Sequence, residues 1–377
     1  MALQRTLSIF VGGSVGSDPY SPKTWSGITA HMLPVMKEAG LLGDARGVTL
    51  PRLTRYVTMA KNFHPTRFVW RKHFYFDPAY RRALTRAVKK LPATSPVLMQ
   101  IGHMFSLPDA FPGRTCISYH DGNLAELLSS GYGIAGVSNM RIEQALEYEH
   151  DVARRMSAIF TFSEYLRQSF IRAYGVPASR VFNVGAGINF DHIPEANPAK
   201  TYTAPRILFI GIEFERKGGR HLLEAFRQVR EAIPSAELHI VGPSQLDNLP
   251  DGVIFHGRLS KADPVQKQKL EELFRTASIS VLPSLYEPFG LAPLEAMLYQ
   301  LPAVVTRDWA LQEFVTPGVN GELVEKGSAD DLAQKMITLL RAPERLAEMG
   351  RNGREMVLTR YTWPVVVGRM AEIVNNL

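Results

Sequence analysis

Two carboxylates, Glu287 and Glu295, lie eight residues apart in Ser284-Leu-Tyr-Glu-Pro-Phe-Gly-Leu-Ala-Pro-Leu-Glu-Ala-Met297. Just ahead, Ile279 to Leu282 is apolar and β-branched, the pattern of a short buried strand. Pro283 and Ser284 end that strand, and Pro288 with Gly290 keep the following residues irregular. A helix is expected from near Ala292, with Pro293 suited to a first helical position. Strand, irregular turn and helix N-terminus together offer backbone N–H groups to an anion. Carboxylates beside a phosphate would repel it, so Glu287 and Glu295 fit better as acceptors from neutral hydroxyls. Hydroxyls on both sides of a phosphate describe a sugar nucleotide.

A second turn, Gly211-Ile-Glu-Phe-Glu-Arg-Lys-Gly-Gly219, carries two cations. Arg216 suits bidentate phosphate contact and Lys217 supplies a compact charge, next to paired glycines that open a helix. Alone, such a pair is a solvated turn; with the Glu-Pro-Phe-Gly turn at another strand end of the same domain, it points to a shared diphosphate site. In the first half, strand Leu7 to Val11 ends at Gly12-Gly13-Ser14-Val15-Gly16, which reads as a ligand loop or as a plain strand–helix turn. Strand Thr115 to Tyr119 runs into His120-Asp121-Gly122-Asn123. His120 is either a site residue at a strand end or a structural histidine satisfied by backbone, and Asp121 is a candidate cap for the next helix.

The elements that position these residues alternate. Strands are expected at Val97 to Ile101, Ala158 to Phe162 and Val181 to Val184, with helices at Ile28 to Ala39, Ala79 to Leu91, Asn139 to Arg155 and Tyr165 to Tyr174, the last capped by Ser163. Periodicity lapses from Asn189 to Pro205, the linker. Alternation restarts with strands at Arg206 to Ile210, Glu237 to Val241, Val253 to Phe255, Ala303 to Val305 and Gly321 to Val324, and helices at Gly219 to Ile233, Val265 to Thr276, Ala329 to Leu340 and Pro343 to Thr359. Two such runs imply an α/β chain of two Rossmann-like domains with a cleft between them. The expected domains are 1–195, 196–360 and a returning C-terminal segment, 361–377, which packs back on the first domain.

The 377 residues suffice for two cores, and 45% apolar with 21% charged residues is a soluble globular composition. No apolar run reaches a membrane span or a signal-peptide core, and Cys116 is the single cysteine, which together point to a cytoplasmic location. The net charge of +7 is local: residues 51–90 hold eleven basic residues, among them Arg52, Arg55, Lys61, Arg67, Arg71 and Lys72, against one acid, Asp77. Aromatics interleave there, including Tyr56, Phe63, Phe68, Trp70, Phe74, Tyr75 and Tyr80. The stretch reads as a solvated face, as a surface for anionic lipid at the inner membrane face, or as a surface for a phosphate-bearing acceptor. No nucleic-acid motif accompanies the charge.

Glu287-Pro-Phe-Gly-Leu followed by Glu295-Ala-Met resembles the two-glutamate signature of family-four retaining glycosyltransferases (group 1) with the GT-B fold. The resemblance extends over Arg216-Lys217-Gly218, Leu301-Pro-Ala-Val-Val-Thr306, Glu313, Pro317-Gly-Val-Asn-Gly321, Tyr361-Thr-Trp363 and Ser163 through Ile188; the first 110 residues match weakly. It implies that Glu287 holds the donor sugar's hydroxyls, Glu295 binds the ribose, and backbone N–H groups of Phe289, Gly290 and Leu291 lie near sugar and diphosphate. It also implies that Lys217 and an arginine neutralise the leaving diphosphate at Gly211, that His120 contacts the donor sugar, and that Gly12 and Gly13 face the diphosphate. One departure stands out: Ile212 occupies the position where the family often carries that arginine, and Arg216 replaces it from the other side of the turn.

The implied reaction moves a hexosyl unit from a nucleotide-diphosphate sugar to an acceptor hydroxyl on a glycan, a lipid-linked acceptor or a small molecule, with retention and without metal or other cofactor. Front-face attack is favoured, since no carboxylate nucleophile is evident. The rivals are a sugar-nucleotide epimerase of similar fold, and a non-catalytic module binding membrane or nucleic acid through residues 51–90. A nicotinamide enzyme using Gly185-Ala-Gly187 lacks the third glycine of its fingerprint.

Overall fold

The computed structural model describes residues 5–13, 16–66, 70, 73–132, 136–190, 192–243 and 245–377. Ser14 and Val15 of the glycine loop, and Arg67, Phe68, Arg71 and Lys72 of the basic stretch, lie outside the described residues.

The chain divides into two compact units, the first formed by 1–189 together with 363–377 and the second by 190–362. The first unit carries strands β1 (Leu7–Gly12), β2 (Leu42–Val48), β3 (Val97–Ile101), β4 (Thr115–His120), β5 (Ala158–Thr161) and β6 (Val181–Asn183), in the order β2-β1-β3-β4-β5-β6. The second carries β7 (Arg206–Ile210), β8 (Glu237–Val241), β9 (Val253–Gly257), β10 (Ile279–Leu282), β11 (Ala303–Thr306) and β12 (Gly321–Val324), in the order β12-β11-β10-β7-β8-β9. Every pairing between these strands is parallel. All residues of β1, β3, β5, β10 and β11 are buried, as befits parallel strands covered on both faces. The continuous apolar runs follow from that burial.

The helices are α1 (Ile28–Glu38), α2 (Arg52–Lys61), α3 (Pro78–Val88), α4 (Leu124–Ser129), α5 (Asn139–Arg155) and α6 (Glu164–Arg172), then α7 (Gly219–Ala232), α8 (Pro264–Thr276), α9 (Leu291–Leu298), α10 (Ala329–Leu340), α11 (Pro343–Arg360) and α12 (Trp363–Asn375). Polar side chains start several of them: Asp77 accepts from the N–H of Ala79 at 2.8 Å, Ser163 from Leu166 at 3.1 Å, and Ser328 from Asp331 at 3.2 Å. Asp121 does not cap α4; Asn123 does, accepting from the N–H of Glu126 at 2.9 Å. Helix α9 opens at Leu291, so Pro293 is its third residue rather than its first.

Strand β2 and helix α2 escape the sequence patterns, as do the short helical turns Leu107–Ala110 and Trp309–Glu313. Strand β2 is a half-exposed edge strand, LGDARGV, whose charges and glycines hide it. Gly47 is required there, since a Cβ would fall 1.9 Å from the carbonyl oxygen of Ser17. Helix α2 buries only Thr58, so it has no apolar core face to read. Helix α12 packs on α1, and the indole of Trp363 fills the place that a Cβ on Gly187 would occupy. No described helix is long and apolar enough to cross a membrane.

Candidate active site

In the second unit the strand order reverses between β7 and its neighbour β10, and the two charged turns come directly after those two strands. Ligands of open parallel sheets sit at the carboxyl ends of strands at such a reversal. The turns touch through backbone: the N–H of Leu285 donates to the carbonyl of Arg216 at 2.8 Å. Gly218, at φ +75°, lies so close that a Cβ would stand 1.9 Å from the carbonyl oxygen of Pro283. Gly211 leaves room for the aliphatic stem of Lys217, whose Cδ a Cβ would meet at 2.4 Å. The glycines thus bring the lysine across the turn.

Lys217 Nζ donates to Glu287 Oε2 at 2.6 Å, and Ser284 Oγ donates to the same oxygen at 3.2 Å. Arg216 Nη1 lies 3.7 Å from that oxygen, donates to the carbonyl of Tyr286 at 2.7 Å, and its Nη2 pairs with Glu213 at 2.6 Å. Glu287 is only 6% exposed. Burial would raise its carboxyl, but the charges of Lys217 and Arg216, with hydrogen bonds from Lys217 and Ser284, outweigh that and hold it below the ordinary range. It is an anion at neutral pH. Ile212 is 59% exposed, and the cations beside Glu287 are Arg216 and Lys217.

Helices α7 and α9 begin here at Gly218 and Gly290, both left-handed, and neither has a side-chain cap. The Phe289 ring packs against Phe314 and Tyr361 at centroid distances of 6.2 and 6.0 Å, which makes it a core side chain whose backbone faces the turn. Leu291 is the first residue of α9, and Glu295 comes one turn later, 7% exposed. Lys261 Nζ donates to Glu295 Oε1 at 2.5 Å and stands 4.7 Å from the centroid of Phe190. Sequence reasoning missed Lys261, which lies in a loop without any motif.

The first unit reverses between β1 and β3. Gly12 packs on Val48, where a Cβ would meet the valine's Cβ at 2.7 Å, and Gly13, at φ +78°, packs on Met104. His120 ends β4 and is 2% exposed. Its ring lies 3.9 Å from that of His103, just past β3. Behind them sits Glu149 on α5, which accepts from Tyr174 Oη at 2.7 Å and from the N–H of Leu124 at 2.9 Å. His103 Nδ1 stands 3.7 Å from Glu149, and Arg81 Nη1 3.8 Å. Burial would raise Glu149, yet His103, Arg81 and the Leu124 N–H bring it down to about 2. Burial, then His103, pushes the His120 imidazole well below 6.5, so it is neutral at pH 7. The Nε2 atoms of His103 and His120 are buried without a hydrogen-bond partner among the described residues. Sequence reasoning found His120, which ends β4, but not His103, which stands two residues past the end of β3. Glu149, mid-helix, gives no signal at all.

Among the described residues no group of three or more His, Cys, Asp or Glu side chains could hold a metal ion.

Residues 194–356 match the family described as Glycosyl transferases group 1. The D-inositol 3-phosphate glycosyltransferase 2 of Catenulispora acidiphila is 29% identical over 226 residues, covering 55% of this chain and 53% of that protein. The chain spans about half the length of the curated relatives it matches first. Among solved structures, the sucrose-phosphate synthase of Thermosynechococcus elongatus superposes with a TM-score of 0.71 at 19% identity, covering 99% of each chain. The Anabaena protein HepE, in complex with UDP and glucose, does so with 0.66 at 16%, covering 99% of this chain and 100% of that one. The fold is that of the GT-B glycosyltransferases. Its second unit carries the group 1 glycosyltransferase domain.

Proposed function

We propose that the chain is a retaining glycosyltransferase that moves a hexosyl unit from a nucleotide-diphosphate sugar to an acceptor hydroxyl. The observation that carries this reading is the buried Lys217–Glu287 pair at 2.6 Å, held where β7 and β10 end beside two helix N-termini without side-chain caps. A cation and a hydroxyl acceptor in contact match a phosphate and a sugar hydroxyl that are themselves neighbours. The names of relatives fit: one acts as an inositol phosphate glycosyltransferase, and HepE holds UDP and glucose.

In this reading the bond from the anomeric carbon to the diphosphate oxygen breaks as the acceptor oxygen bonds to that carbon on the same face. The acceptor's proton passes to the departing diphosphate. Lys217 and Arg216 stabilise the developing negative charge, where individual preorganised donors are worth about 3–4 kcal/mol. No metal is needed for that step. Glu287 accepts from the sugar hydroxyls and Glu295 from the ribose. Phe289, Gly290 and Leu291 give N–H groups, while His120, Gly12 and Gly13 are the first unit's contacts to the donor. For α2, peripheral contact with an anionic membrane is favoured by exposed Leu53 and Tyr56 beside Arg52 and Lys61.

The test is a thermal-shift screen over sugar nucleotides, then acceptor trials with the best donor and NMR of the product anomer. One nucleotide sugar should raise Tm and give an α or β product matching its own anomer. An inverted product would remove retention, and turnover of the donor to its epimer without acceptor would favour the epimerase. A screen without any nucleotide-dependent shift overturns the reading.

A further inference from the structure

A cavity of about 310 Å³ opens in the first unit where β1 and β2 end. Its walls include Gly13, Met59, Phe74, Tyr75 and Tyr80, and Arg55 is the one charged residue among the described residues that line it. Arg55 makes no ion pair or side-chain hydrogen bond with the described residues, and its charge acts on the Tyr80 hydroxyl. Arg55 and Met59 are four apart on α2 and so share one face of that helix. Leu53, Tyr56 and Val57, at the same kind of spacing, occupy a different face and are 77%, 66% and 45% exposed. Near the end of α2 an aromatic chain begins at Phe63, itself 67% exposed. It runs through Trp70 at 5.8 Å and Phe74 at 6.1 Å to Tyr80 at 5.5 Å, so an apolar track leads from the surface into the cavity wall.

We propose that this cavity binds the acceptor, and that the acceptor is an anionic amphiphile. Its phosphoryl group meets Arg55, its apolar chain runs along the aromatic track toward Phe63, and its hydroxyl-bearing end lies at the Gly13 wall. An uncharged glycan would leave the Arg55 charge and the aromatic track unused. A small soluble phosphate would use the arginine but not the track. The basic excess of residues 51–90 attracts such a ligand from solution. This inference rests on the glycosyltransferase reading only for calling the ligand an acceptor.

Calorimetric titration of the full chain tests it with dodecyl phosphate below its micellar concentration, inorganic phosphate and dodecyl maltoside. Dodecyl phosphate should bind at least about tenfold more tightly than either control, since each control lacks one of the two contacts. Arg55→Gln should lose about tenfold of that affinity, while Arg82→Gln, an exposed arginine outside the cavity, should lose little. Met59→Trp should block the site by filling it. Equal losses in the two arginine variants would reduce the effect to general charge and overturn the inference. So would inorganic phosphate or dodecyl maltoside binding as tightly as dodecyl phosphate, or none of the three binding. The nucleotide-sugar screen separates the two readings. Donor binding without dodecyl phosphate binding removes only the amphiphile, whereas Arg55-dependent dodecyl phosphate binding without any nucleotide-sugar binding removes only the transferase.

Discussion

The two sheets reverse their strand order in the same way, yet the residues just beyond the strand ends differ in kind. After β7 and β10 stand full charges in contact, Lys217, Arg216 and Glu287, beside two helices without side-chain caps. After β1 stand tightly packed glycines, and just past β3 and at the end of β4 stand two tilted imidazoles in contact, with Glu149 and Arg81 behind them. One end is built to meet charge, and the other sets packed glycines and the neutral His120 imidazole at its strand ends. That division suits the proposed transfer, in which the leaving group is charged and the sugar neutral.

The sharpest way to break the comparison is to remove charge from the second unit. Lys217→Ala and Glu287→Ala should each lower kcat/KM by at least about 10²–10³-fold, with circular dichroism unchanged. Near wild-type rates in both would end the assignment. Next in size is Gly218→Ala, where both φ and the Pro283 carbonyl oppose a Cβ; it should cost several kcal/mol, on the order of 3 or more, in denaturant unfolding. Gly13→Ala meets the side chains of Met104 and Leu84 but no backbone, and should cost less, about 1–2 kcal/mol. Equal costs would contradict the tighter backbone approach at Gly218.

The imidazole pair should give smaller, pH-dependent effects. Burial lowers the His120 pKa below 6.5, so the unfolded chain takes up a proton that the folded chain refuses. Stability should therefore fall as pH drops below about 6.5, and His120→Asn should remove part of that slope. His256, held down to about 4 by burial and by His239, adds a similar slope that the variant leaves untouched. Glu149 acts lower: its depressed pKa supports the fold above its ordinary value of 4.5 and is lost as pH falls toward about 2. His103→Ala should weaken binding of the donor sugar and shift the pH profile of kcat/KM, while His103→Gln restores part of the rate. A profile that does not move would make His103 a packing residue only.

Much of the second unit was legible because its chemistry is local. Arg216, Lys217 and Glu287 sit in turns whose glycines and prolines announce them, and Glu295 in the helix that follows, next to mostly apolar strands. The first unit was harder to read because its features arise from long-range contact. His103 and Glu149 are 46 residues apart in sequence and meet only through folding. Strand β2 has no alternation because it lies at an edge, and α2 has no core face to betray it. Lys261 reaches Glu295 across 34 residues, a pairing that spacing alone cannot reveal.

Helix α12 has a consequence for how the molecule is made. It joins the first unit through buried Trp363 against Gly187, through half-buried Arg369, whose Nη1 donates to the Val184 carbonyl at 3.2 Å, and at the surface through Asn375 Oδ1, which accepts from the Arg5 N–H at 3.1 Å. The second unit is thus a contiguous insertion within a discontinuous one. On the ribosome, residues 190–362 can reach their native contacts as soon as they emerge, whereas the unit begun first stays incomplete until α12 has emerged. The order of synthesis and the order of completion of the two units are thus reversed.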